Sequence, residues 1–129
     1  MFVPHSYDKG ALQPWEYIEA AAGSYEIGQL LDVTGGKLTA IAAAKTTTPQ
    51  YVCMAKKTVE AGGLLHVQRI CKDVIYETTL SAAAEAAVVG TKLQVSAGGK
   101  QADSAAAGTF EVVYIEATAA GSVVRGRFN

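Results

Sequence analysis

Residues 27–37 read IGQLLDVTGGK, and residues 89–100 read VGTKLQVSAGGK. In each copy Gly follows a β-branched residue, Leu stands three positions after that Gly, Val five positions after it, and Gly-Gly-Lys closes the phrase. In the first copy Gly35-Gly36 supplies the positive φ values that a two-residue type I′ or II′ turn demands. The turn fixes a register: Thr34 opposite Lys37, Val33 opposite Leu38, Asp32 opposite Thr39 and Leu31 opposite Ala40. Leu31, Val33, Leu38 and Ala40 then share one apolar face, and Asp32, Thr34, Lys37 and Thr39 share a wet one. The second copy carries an extra residue, Ala97, before Gly98-Gly99, so a loop of three to five residues or a bulge is expected. Leu93 and Val95 keep the inward positions, and the return limb Lys100-Gln101-Ala102 reads as short and near an edge. Gly35, Gly36, Gly98 and Gly99 are thus structural turn residues.

The same texture extends outward from the two copies. Trp15, Tyr17 and Glu19 alternate with Glu16, Ile18 and Ala20 in a first strand candidate. QYVCMAK (50–56), LLHVQRI (64–70) and VIYETTL (74–80) follow, each bounded by a turn signal. GTFEVVYIEAT (108–118) is the longest β-type run, and in SVVRGRF (122–128) Val124, Gly126 and Phe128 alternate with Val123, Arg125 and Arg127. The one helical candidate, SAAAEAAVV (81–89), is too short to stand alone and reads as a turn or two of helix or as a loop. Residues 1–14 show neither period, and with Pro4, Gly10 and Pro14 they read as an extended arm outside the core. The expectation is an all-β fold: a small antiparallel barrel or sandwich of about eight strands spanning 15–129, preceded by an N-terminal arm, 1–14.

A chain of 129 residues is one domain by length and can bury roughly 65% of its unfolded surface. Half of it is apolar, but 23 of those residues are Ala, so Val, Ile, Leu and the aromatics must carry the packing. A net charge of −1 gives no footprint of a nucleic-acid binder. The opening residues lack the apolar stretch of a signal peptide, and no run approaches the roughly 20 residues of a membrane span. Cys53 and Cys71 read as free thiols.

Catalytic readings find little purchase. His66 has no ligand-spaced partner on its own strand. Ser24, Ser81, Ser96, Ser104 and Ser122 lie in turns without a nucleophile elbow. Both Gly-Gly-Lys sites run into strand rather than into the helix N-terminus that a phosphate cradle requires. Tyr51, Tyr76, Phe110 and Tyr114 lack interleaved basic residues and read as core or interface. No catalytic, cofactor-binding or metal-ligating residue is expected. What remains is the profile of an interaction module.

The succession YEIGQLLDVTGGKLTAI, TPQYVCMAKKT, GLLHVQRICKDVIYETTL, VGTKLQVSAGGKQ and GTFEVVYIEATAAGSVVRGRF, ending in R-x-R-F, resembles the small capsid decoration (head auxiliary) proteins of tailed phages and prophages over Trp15 to Phe128. The resemblance implies a non-catalytic, cofactor-free β domain on the outer surface of the virion capsid, made in the host cytoplasm during assembly. It implies the major capsid protein as partner, a homotrimer on the capsid, and no nucleic acid or membrane. It places the capsid contact on the arm, through Phe2, Val3, Pro4, Tyr7 and Leu12, with Trp15 as anchor. Three alternatives stay open. One is a head-fibre or tail protein. Another is a carbohydrate- or ligand-binding barrel with Trp15, Tyr17 or Tyr114 as a stacking platform. The last is an enzyme using His66 near Glu77 or Asp73.

Overall fold

A computed structural model describes residues 1–7 and 14–129. Their fold is all-β, with twelve strands where about eight were expected: β1 (Val3–Tyr7), β2 (Trp15–Glu19), β3 (Gly23–Tyr25), β4 (Leu30–Thr34), β5 (Lys37–Ala40), β6 (Tyr51–Cys53), β7 (Lys57–Val59), β8 (Leu64–Arg69), β9 (Val74–Thr79), β10 (Lys92–Leu93), β11 (Phe110–Ile115) and β12 (Val123–Phe128). Every strand pair is antiparallel. One five-stranded sheet runs β1-β9-β12-β11-β10, a second runs β2-β8-β6-β4-β5, and β3-β7 form a small ribbon. The second sheet curls until its two edge strands meet at the single bridge Ala20↔Leu38. The result is sandwich-like rather than a closed barrel.

The hairpin of β4 and β5 has the register that the turn dictates, Leu31↔Ala40 through Thr34↔Lys37. Gly35 and Gly36 have φ of 60° and 79°, and open space surrounds both. The facial split is narrower than the pattern suggests. Leu31 and Leu38 are fully buried, whereas Val33 is exposed near the hairpin tip and Ala40 at the hairpin's open end.

Adjacent Leu30 and Leu31 explain how a chain with few large apolar residues folds. Successive strand residues face opposite ways, and here both faces are covered. Leu30 and Val52 enter a core shared with the first sheet, beside Tyr76, Phe110, Val112, Val124 and Phe128. Leu31, Leu38, Tyr51, Cys53, Leu65 and Val67 enter a second core on the other face, under Tyr25 and Val59 of the β3-β7 ribbon. A fully buried Leu contributes about 2 kcal/mol, so a strand covered on both sides makes each residue count.

The second Gly-Gly turn docks on the first copy. Leu30 N donates to Gly99 O at 2.7 Å, Gly98 N donates to Ile41 O at 2.7 Å, and Gln29 Nε2 donates to Gly98 O at 3.1 Å. Gly99 has φ of 71°, and a Cβ there would stand 2.4 Å from Leu30 O. Ser96 N bonds Gln101 O at 2.9 Å, closing the expected four-residue loop. Leu93 and Val95 are buried as expected.

One expectation is corrected. Residues 1–7 do not form an arm outside the core. Phe2 is fully buried, edge-on to Phe110 at 5.5 Å and beside Phe128 at 5.9 Å, and its N–H donates to Gly28 O at 2.8 Å. Val3–Tyr7 then pairs with β9 as an edge strand, with a bulge between Pro4 and Ser6. A single aromatic anchor and main-chain pairing hold this segment, and neither leaves a periodic signature. The Ala-rich stretch 81–89 takes the loop form of its two expected readings, with no helix. Its Ala84 N–H goes to Thr118 O, and Ala84 and Ala87 sit in the first core. Tertiary bonds thus take up amides that a helix would need.

Asp103 ties together the loops that follow β9 and β10. It accepts from Gln94 Nε2 at 2.6 Å, Ser104 N at 2.8 Å and Ser81 Oγ at 3.3 Å. These bonds, the Gln94 amide foremost, hold its carboxyl below the ordinary value of 3.8. A depressed folded-state pKa adds stability above the ordinary value that is lost as pH falls through the folded one. An acid titration of melting temperature should therefore fall below about pH 4, with a shallower fall in Asp103→Asn. Gly35→Ala should cost about 1 kcal/mol for its left-handed backbone, whereas Gly99→Ala should cost about 3 kcal/mol or more because the clash adds to the strain. Phe2→Ala should cost about 3–5 kcal/mol in denaturant unfolding; a cost near zero would mean that Phe2 lies outside the core.

Candidate functional site

Among the described residues β2 carries the most exposed aromatic side chains, Trp15 and Tyr17. Ile18 and Ala20 turn inward to the second core, so alternation sends Trp15, Tyr17 and Glu19 to the outer face. Register places Tyr17 opposite His66 and Glu19 opposite Leu64. Trp15 is 61% exposed, Tyr17 68% and Leu64 50%. The two rings are nonetheless fixed. The His66 imidazole lies 4.8 Å from the Tyr17 ring and nearly parallel to it, at 16°, and 4.1 Å from Trp15 at 64°. His66 Nε2 is enclosed there, with no hydrogen-bond partner among the described residues. Glu19 with Lys37 (3.7 Å) places a solvated ion pair beside the patch, and Glu16 with Arg69 (3.8 Å) forms a second on the opposite face of the strand.

β2 is also the outer strand of its sheet. Ala20 N bonds Gly63 O on the β8 side, and Ala21 N bonds Leu38 O on the other. By alternation the main-chain groups of Trp15 and Tyr17 point away from β8. The same two residues thus offer ring faces and, among the described residues, unpaired backbone.

The residues singled out for a partner contact are dispersed. Phe2 is interior and cannot touch a partner. Val3 is exposed and Pro4 half-buried on β1, the edge of the other sheet. Tyr7 pairs through its backbone with Val74. Leu12 lies outside the described residues. Trp15 alone joins a cluster, and Leu64 and His66 complete that cluster without having been singled out for it. Their contribution depends on the pairing of β2 with β8, a long-range register that no local pattern announces.

Glu77 accepts from Arg125 Nε at 2.8 Å and lies on the first sheet, whereas His66 lies on the second. Tyr114, also on the first sheet, lies under the Arg125 guanidinium at 4.9 Å and does not extend the Trp15–Tyr17 platform. Cys53 and Cys71 are free. Burial pushes the Cys53 thiol up, and its Sγ donates to Ala55 O at 3.0 Å, the setting of an inert thiol. Lys37 and Lys100 of the twin turns pair with Glu19 and Glu26, and the Lys100 bond and charge hold the Glu26 carboxyl below its ordinary value. Among the described residues no cluster of three His, Cys, Asp or Glu could hold a metal, and no helix is long and apolar enough to cross a membrane. Neither a family model nor a curated protein sequence matches the chain.

Proposed function

We propose that this chain is a non-catalytic virion protein that binds the outer surface of a phage capsid and stabilises the shell, as the resemblance to decoration proteins implies. The observation that carries the reading is the Trp15–Tyr17–Leu64 platform. It is a rigid aromatic patch exposed on the edge strand of a doubly buried sheet. Exposed Trp and Tyr on a fixed scaffold are the usual anchors of protein interfaces, because they bury large areas at little entropic cost. The major capsid protein is the proposed partner, and β2 takes the anchoring part, since Phe2 of the N-terminal segment is in the core. A homotrimer at the capsid surface would multiply a modest affinity per site by avidity. A bridging protein of this kind needs stiffness and contact surfaces, and two back-to-back cores supply the stiffness.

Purified protein mixed with expanded, undecorated capsids should bind saturably. Trp15→Ala with Tyr17→Ala should weaken that binding at least about tenfold while unfolding stability changes by about 1 kcal/mol or less. Failure of the unaltered protein to bind any such shell would remove the decoration reading. Unchanged binding by the double variant would move the contact off β2.

A further inference from the structure

A polar cleft of about 430 Å³ opens between the β4-β5 hairpin and the segment that leads into β6, lined by Asp32, Val33, Thr34, Lys45, Thr47, Thr48 and Gln50. Its walls are held from outside. Lys45 bonds Val95 through both main-chain groups, at 2.8 and 2.9 Å. Thr48 Oγ1 donates to Thr109 Oγ1 at 2.8 Å, and Gln50 Oε1 accepts from Val33 N at 2.9 Å. Lys45 Nζ donates to Asp32 Oδ2. A site whose groups are already fixed loses little entropy on binding.

The chemistry left over selects a ligand class. Asp32 and Lys45 cancel each other, so the cleft carries no net charge to reward an ion. Four groups keep open capacity among the described residues: the second Asp32 oxygen accepts, the remaining Lys45 protons and the Gln50 amide N–H₂ donate, and the Thr47 hydroxyl does either. Donors and acceptors share the lining with one exposed aliphatic side chain, Val33. A polyhydroxylated ring presents donors and acceptors together, with C–H groups for Val33, whereas an anion would meet the open Asp32 oxygen unfavourably. The volume lies in the range of small-molecule sites.

We propose that this cleft is a binding site for a neutral saccharide of one or two rings. The site is separate from the β2 platform, and it stands or falls independently of the capsid reading. Binding is weak, with Kd of order 1 mM, since no aromatic ring stacks on the sugar. The test is a ¹H–¹⁵N chemical-shift titration of the intact protein with neutral mono- and disaccharides, and in parallel with glucuronate, glucosamine and inorganic phosphate. The expected result is saturable shifts on residues 32–34 and 45–50 with at least one neutral sugar, and none with the charged probes. Thr47→Val should weaken binding about tenfold without altering the remaining spectrum. Asp32→Asn, which leaves the Lys45 charge uncompensated, should lose the sugar and gain phosphate. No saturable shift with any neutral sugar would overturn the proposal. Shifts on Trp15 and Tyr17 instead, or equal response to charged probes, would do so as well.

Discussion

The bond from Leu30 N–H to Gly99 O is the constraint on which the two cores depend. It clamps the turn of one glycine-rich phrase against the strand of the other, and only Gly tolerates the approach. The clamp sets the depth at which β4 sits. Leu30 then points to the sheet-to-sheet core and Leu31 to the core beneath the small ribbon. The phrase is repeated because each copy completes the other. One builds the β4-β5 hairpin, and the second supplies the plug that fixes where that hairpin lies.

This division shows which parts of the molecule were legible before any coordinates. The β4-β5 register follows from Gly35-Gly36, since turn chemistry and side-chain alternation act within a few residues. β8, β9, β11 and β12 were legible for the same reason: six residues each, with buried and open positions alternating along much of their length. β3 and β7 were not, for Gly23–Tyr25 and Lys57–Val59 each bury a single side chain. The second core was hidden too. Adjacent apolar residues such as Leu30-Leu31 are compatible with one face or two, and the choice is made by what packs above and below.

The platform was half legible. Alternation in WEYIE marks two aromatics on one side, yet whether that side is inner or outer depends on the apolar partners of Ile18 and Ala20, which come from β5, β6 and β8. The N-terminal segment failed differently. A proline and scattered polar residues argue for an arm, and the sequence has no way to announce that one Phe will fill the gap between Phe110 and Phe128. Local propensity is silent where a single long-range contact dominates.

The contact of Phe2 with Phe128 bears on how the molecule comes into being. The two rings lie close together in one aromatic cluster although nearly the whole chain separates them. Bringing such remote partners together carries the largest loop-closure penalty available to this chain and slows folding. During synthesis the cluster has no final member until the ribosome has released residue 128. Until then the chain exposes its aromatic seam and the flank of β9, and fast emergence or a holding chaperone would decide whether nascent copies mature or clump.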